Sequence, residues 1–137
     1  MEYMANDVMA HEKRILIVDD HPELRLLVRE SLDDGNGAYL FQEAGNAAEA
    51  LAALPAFCPQ LVILDVMMPG EMDGYRLCEL IKSDPVLVST YVVLLTARGQ
   101  KADVEKGRAV RADLYLIKPF SPSILIAAVE EAFAQLR

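Results

Sequence analysis

Cysteine is scarce in this chain: two in 137 residues, Cys58 and Cys78, with no CxxC pair and no histidine at metal-ligand spacing beside either. That argues against a disulfide framework or a thiolate zinc site, and both cysteines read as small buried hydrophobes in a reducing compartment. No apolar run approaches the ~18 to 20 residues that a membrane span needs, and Met1 to Ala10 lacks the basic start and apolar block of a secretory leader. The expected location is cytoplasmic. Positive charge is also short, with 13 Lys and Arg against 21 Asp and Glu and a net charge of −8. The resulting field repels phosphate backbones and anionic lipid, so neither nucleic acid nor membrane is expected as a partner. Nor does a GxGxxG follow the first strand candidate, where DDHPEL stands instead, which removes a Rossmann-type nucleotide binder.

What is present fits one globular domain: 53% hydrophobic and 25% charged residues in a length able to bury a core without staples. Residues 1–12 are aperiodic and read as a flexible tail, leaving 13–137 as the domain. From Arg14 onward, short apolar runs alternate with stretches of helical spacing. The strand candidates are Ile15–Val18, Tyr39–Glu43, Leu61–Leu64, Tyr91–Leu95 and Leu114–Ile117. Gln42 and Glu43 make the second of them an edge strand with a wetter face. Helices are predicted over Glu23–Asp33, Ala47–Leu54, Gly74–Lys82, Gln100–Arg111 and Pro122–Leu136. Asn46 with Glu49 resembles a capping box, and Pro55 is expected to stop the second helix. The alternation implies an α/β fold with five parallel strands and helices on both faces, its ligand site at the carboxyl ends of the strands.

The polar residues fall at those ends. Asp19 and Asp20 follow the first apolar run, Asp65 the third, Thr96 the fourth and Lys118 the fifth. Any one alone reads as a turn or cap residue. Together they are harder to dismiss, because three carboxylates in one crevice repel one another and, unless some are protonated, need a cation. With no histidine or cysteine in the set, oxygen ligation favours Mg²⁺. A lysine as a mobile positive charge and a threonine hydroxyl then suit a transferring phosphoryl group, with Asp65 as the candidate nucleophile.

Four stretches, ILIVDDHPE, LVILDVMMPGEMDGY, VVLLTA and LYLIKPF, stand in an order and spacing that resembles the receiver domains of bacterial two-component response regulators. The resemblance covers about residues 13 to 137. It implies the doubly wound, flavodoxin-like (βα)5 fold with strand order 2-1-3-4-5. It also implies phosphorylation on Asp65 and Mg²⁺ held by Asp20, Asp65 and the Met67 backbone carbonyl, with Asp19 acting through water. Thr96 and Lys118 resemble the hydroxyl and ammonium that meet the phosphoryl oxygens. Tyr115 resembles the aromatic switch that turns inward with Thr96, and Ala97 is small enough to leave the approach open. The positions of Met67 and Arg98 resemble those that tune hydrolysis, and Lys118–Pro119 resembles the family's cis peptide. The implied partners are a histidine kinase or histidine phosphotransfer protein and a downstream protein target that reads the face over residues 100–122. The implied type is chemotaxis-regulator-like and single-domain, the alternative being a piece cut from a longer chain. Self-phosphorylation and self-dephosphorylation would be its only chemistry.

The sequence departs from the family pattern in one place: Glu71 stands between Gly70 and Met72, lengthening the loop after Asp65. Asp65 to Pro69 stay in register, so the metal site is expected to survive. His21 reads as an exposed residue at a helix start without a role, and Met67 and Met68 read as packing. The last helix is apolar on more than one side (Ile124 to Val129, Ala132, Phe133, Leu136), which points to a homodimer or partner contact through it. Two competing functions remain. A haloacid-dehalogenase-like phosphohydrolase would want Asp-x-Asp on the first strand, where Asp19-Asp20-His21 stands. A pseudo-receiver that never accepts phosphate is disfavoured because every reacting position is filled.

Overall fold

Strands whose residues are all apolar must be covered on both faces, and the chain meets that demand by alternating strand and helix. The computed structural model describes residues 12–33, 35, 37–97 and 101–136, with backbone alone for 101–103. The strands are β1 (Lys13–Val18), β2 (Tyr39–Ala44), β3 (Leu61–Asp65), β4 (Tyr91–Thr96) and β5 (Leu114–Ile117). The helices are α1 (Pro22–Leu32), α2 (Ala47–Phe57), α3 (Gly74–Ser83), α4 (Lys101–Ala109) and α5 (Pro122–Gln135). All neighbouring strands are parallel, in the order β2-β1-β3-β4-β5. The expected (βα)5 fold and its strand order are therefore observed. The expected tail lies outside the described residues except for Glu12, whose carbonyl accepts from Gln60 Nε2 at 3.0 Å. No helix among the described residues is long and apolar enough to cross a membrane.

Alternate residues of the three central strands feed two separate cores, as the two-residue period of a strand requires. Leu16, Val18, Val62, Leu64, Val92 and Leu94 face α2 and α3 through Ala50, Leu54, Leu77, Cys78 and Ile81. Ile15, Ile17, Leu61, Ile63, Val93 and Leu95 face α1 and α5 through Val28, Leu32, Leu125, Val129 and Phe133. Each fully buried aliphatic side chain contributes on the order of 1.5–3 kcal/mol. β2 is an edge strand with exposed Leu40, Gln42 and Glu43, as its polar content predicts.

Local chemistry sets the helix starts. Asn46 Oδ1 accepts from Glu49 N at 2.8 Å, while Glu49 Oε1 reaches back to Gly45 N at 2.8 Å. Asp73 Oδ1 caps α3 through Arg76 N at 2.9 Å. Three sequence expectations need correction. Pro55 does not stop α2, which runs on to Phe57 and closes at Cys58, a left-handed residue with φ of 46° whose N–H bonds to the Leu54 carbonyl. A proline this near the end of a helix removes one hydrogen bond and no more, so it does not break the last turn. Cys58 is exposed rather than buried, because that left-handed cap carries it past the helix onto the surface; Cys78 is buried as expected, and both are free. Met67 is not a packing residue, since it is 62% exposed, whereas Met68 packs against the core.

Candidate functional site

The strand register brings the polar residues together. Val18 pairs with Leu64, so Asp19 and Asp65, the residues that follow them, emerge side by side at the carboxyl ends of β1 and β3. Asp65 in turn pairs with Leu95, and the next residue, Thr96, pairs with Ile117, one residue before Lys118. The Lys118 N–H donates to the Thr96 carbonyl at 2.6 Å, extending the β4–β5 ladder by one step. The Lys118–Pro119 bond is cis, as the resemblance implies.

Asp65 is 2% exposed, and its two oxygens have different neighbours. Oδ1 accepts from Met67 N at 3.1 Å and Oδ2 from Lys118 Nζ at 3.1 Å. Lys118 Nζ also lies 3.5 Å from Asp19 Oδ2. Burial, and then the neighbouring Asp19 charge, push the Asp65 pKa up, against the opposing pull of the Met67 N–H and Lys118. Asp65 is held in place from behind by Gly74: a Cβ there would sit 2.2 Å from the Asp65 carbonyl oxygen, so no larger residue fits where α3 starts against β3.

Asp19 is 1% exposed and forms an Asx turn with His21, whose N–H and Nδ1 lie 2.8 and 3.0 Å from Asp19 Oδ1. Asp20 Oδ1 is a buried acceptor. It lies 3.2 Å from His21 Nδ1 in a geometry that makes no hydrogen bond, and it has no other partner among the described residues. Donor atoms of Asp19, Asp20, His21 and Asp65 all lie within 4.8 Å of one another. A buried carboxylate oxygen without a proton donor, inside a cluster of acidic groups, is what a hard cation satisfies, and the oxygen donors suit Mg²⁺. The residues present therefore fit that ion.

Thr96 is buried at the rim, and Tyr115 is half-buried on β5 with its hydroxyl 3.2 Å from that of Tyr75. Asp19, Asp20, Asp65 and Lys118 are thus gathered into one crevice with Thr96 beside it, while Tyr115 stands one strand away. Arg98 lies outside the described residues. The sequence assigns His21 no role, yet it touches the acidic cluster; its place directly after the acidic pair is the available signal. Hydrogen bonding to Asp19, then the Asp20 charge, raise its pKa. Glu71 lies on a loop where Gly70 takes φ of 104°, and with Pro69 and Met72 it faces Asn46 to Leu51 across a cavity of about 480 Å³. A larger cavity, about 850 Å³, is at the opposite end of the sheet among Lys13, Arg14, Gln60 and Thr90. It holds no comparable set of convergent reactive groups, so the chemistry points to the acidic crevice rather than to the larger space.

Comparison with known proteins agrees with this geometry. The response regulator receiver domain model matches residues 15–130. Response regulator Rre1 of Synechocystis is 39% identical over 127 residues, covering 93% of this chain and 54% of its own. Protein PilG of Pseudomonas aeruginosa is 34% identical, covering 85% of this chain and 84% of its own. Among solved structures, the chemotaxis response regulator CheY4 of Vibrio cholerae superposes with a TM-score of 0.80 at 28% identity, over 88% of this chain and 98% of its own. The chain spans about half the length of Rre1 and of several other curated relatives, some of them named as transcriptional regulators.

Proposed function

Since this chain belongs to the response regulator receiver domain family, we propose that Asp65 is its phosphoacceptor and that Mg²⁺ is the cation of the acidic crevice. The observation that carries this reading is the contact of Asp65 Oδ2 with Lys118 Nζ at 3.1 Å, beside two further carboxylates within reach of one ion.

The phosphoryl donor is a phosphohistidine of a kinase or phosphotransfer protein. An Asp65 carboxylate oxygen bonds to phosphorus while the P–N bond to the donor imidazole breaks, and the electron pair of that bond returns to the imidazole nitrogen. Burial that raises the Asp65 pKa also makes its carboxylate a stronger nucleophile once ionised. Lys118 moves from pairing with Asp65 to pairing with the phosphoryl oxygens, and the Thr96 hydroxyl donates to another. The Asp20 and Asp65 carboxylates and the Met67 carbonyl would hold Mg²⁺, with Asp19 acting through water, and the ion would supply charge neutralisation for the phosphoryl oxygens. Hydrolysis of the aspartyl phosphate by water resets the site, so the chain processes only its own phosphoryl group.

Movement of Thr96 toward the phosphoryl group vacates the space that Tyr115 enters, and the face over residues 100–122 then presents a changed surface to a downstream protein. The chain as a whole carries a net charge of −8, which favours a protein target over nucleic acid, and no membrane partner is invoked. A homodimer is a second use of the neighbouring surface, favoured by Ile117 at the end of β5 and Ile124 at the start of α5, exposed by 48% and 53%. Sedimentation that shows a monomer at all concentrations, with and without phosphorylation, would remove it.

The phosphohydrolase and pseudo-receiver alternatives are not favoured, given the family match and the filled reacting positions. The test is incubation with Mg²⁺ and acetyl phosphate followed by intact mass. One added phosphoryl group that is absent in Asp65→Asn supports the reading; equal labelling of Asp65→Asn defeats it.

A further inference from the structure

The acidic turn that ends β1 is gripped from outside the crevice. Asp19 N donates to the Ala44 carbonyl at 3.0 Å, and the Asp19 carbonyl accepts from Arg25 Nη1 at 2.6 Å. That carbonyl belongs to the peptide unit joining Asp19 to Asp20. Rotation of this unit is the motion that would swing the Asp20 carboxyl, whose Oδ1 stands buried without a proton donor. Arg25 reaches it because α1 begins directly after the turn, with Leu24 and Arg25 N–H groups both on the His21 carbonyl. The other side of the guanidinium is fixed as well: Arg25 Nε meets Glu43 Oε1 at 2.9 Å. Glu43 is the charged residue that made β2 look like an edge strand. It also takes Arg29 Nη1 at 3.1 Å, but among the described residues Arg29 makes no hydrogen bond to the turn.

We propose that Arg25, held by Glu43, is a positioning residue for the acidic turn, fixing the Asp19–Asp20 peptide so that Asp20 faces the cation. This rests on the reading of Asp20 as a cation ligand. Only a planar fork can hold a carboxylate with one nitrogen and a carbonyl with another in fixed directions; an ammonium supplies a point charge without that geometry. The side chain of Arg25 is 18% exposed against 49% for Arg29, so the contact is sheltered from competing water. Removing a partner that orients a metal ligand weakens metal affinity by about 10- to 100-fold.

The test compares Arg25→Met, Arg25→Lys and Arg29→Met with the wild-type chain in two measurements. The first is Mn²⁺ binding followed by electron paramagnetic resonance, with Mn²⁺ standing in for Mg²⁺. The second is the backbone amide resonance of Asp20 in metal-free protein. Arg25→Met should bind Mn²⁺ about tenfold or more weakly and shift the Asp20 amide, with Arg25→Lys between it and wild type. Arg29→Met, which loses a bond to the same Glu43, should match wild type in both. Thermal melts identify any variant that fails to fold, and Arg25→Lys, with charge and stem retained, then carries the comparison. Equal Mn²⁺ affinity in Arg25→Met and wild type overturns this inference alone, as does an equal loss in Arg29→Met. Absence of Mn²⁺ binding by the wild-type chain overturns both this inference and the metal reading beneath it.

Discussion

The hydroxyls of Tyr75 and Tyr115 meet at 3.2 Å, joining the first turn of α3 to β5 beneath the last turn of α4. Lys106 Nζ sits 4.7 Å over the Tyr75 ring, and Gly107 lies against Tyr115 so closely that a Cβ there would be 3.0 Å from ring atom Cδ2 and 3.2 Å from Cε2. Tyr115 is therefore wedged between α3 and α4. An unhindered Gly→Ala change in a helix gains about 1 kcal/mol, whereas forced contact in packed surroundings costs about 1–3 kcal/mol. Gly107→Ala should consequently be neutral to destabilising, and Tyr75→Phe should lose about 1 kcal/mol, both read from urea midpoints. A clear rise in the midpoint of Gly107→Ala would show that Tyr115 has more room than its surroundings suggest.

Asp65 and Lys118 should show opposite signs in one experiment. In chelator-treated protein at neutral pH, Asp65→Asn removes a buried charge that faces Asp19, so its melting temperature should exceed wild type by several degrees. Lys118→Met removes the cation that both carboxylates face and should melt lower. The raised pKa of Asp65 fixes the pH window. Folding favours its neutral form, so wild-type stability is full below the ordinary carboxylate range and falls as pH rises through the raised value. The advantage of Asp65→Asn should thus be largest at neutral pH and fade as the solution is acidified through that window. A pH-independent difference would mean that the cost is not one of ionisation.

Much of this was legible in the sequence because it depends on local order. An apolar run followed by a polar residue announces a strand end, and parallel pairing aligns such ends whatever the side chains are. That is why Asp19, Asp65, Thr96 and Lys118 were found together. Residues whose partners lie on another element were not legible. Arg25 and Glu43 read as helix and edge-strand surface because nothing in a linear pattern says that β2 sits beside α1 at that height. His21 is exposed, as expected, but its contact with Asp19 was not legible because an Asx turn depends on a side-chain rotamer. The left-handed Cys58 was missed because Pro55 offered a plainer stop signal three residues earlier.

The two thiols should separate by reactivity. Cys58 is exposed and Cys78 lies in the core, where burial pushes its pKa up to about 11. Iodoacetamide at mildly alkaline pH should add one group per native chain and two per chain in urea, counted by intact mass. The same shift carries a stability consequence. Between the ordinary thiol value of 9.0 and about 11, the unfolded chain ionises Cys78 and the folded chain does not, so stability falls as pH rises through that interval. Cys78→Ala should flatten part of this slope, leaving the contribution of Tyr91, whose pKa burial also raises. Two rapid additions to the native chain would contradict the buried placement of Cys78.

Lys82 carries a charge into the far end of the core. It sits near the end of α3, 7% exposed, with Nζ 2.7 Å from the Thr90 carbonyl and 2.6 Å from Asp113 Oδ2. Asp113 Oδ2 also accepts from Val92 N at 2.8 Å, so one carboxylate ties α3 to the starts of β4 and β5. Taking the lysine away leaves the Thr90 carbonyl without this donor and Asp113 without its cation. A fully buried pair broken in this way costs about 3–5 kcal/mol, but Asp113 is 32% exposed and water can reach it. Lys82→Met should therefore lose about 2–3 kcal/mol, less than the buried limit. Asp113→Asn keeps an acceptor for Val92 and Lys82 while removing the charge, and should lose less again. The acidic crevice is at the other end of the strands, so neither variant should change Mn²⁺ affinity at temperatures where it remains folded. A parallel loss of metal binding and stability would mean that the two ends of the sheet are mechanically coupled, against the separation that the register implies.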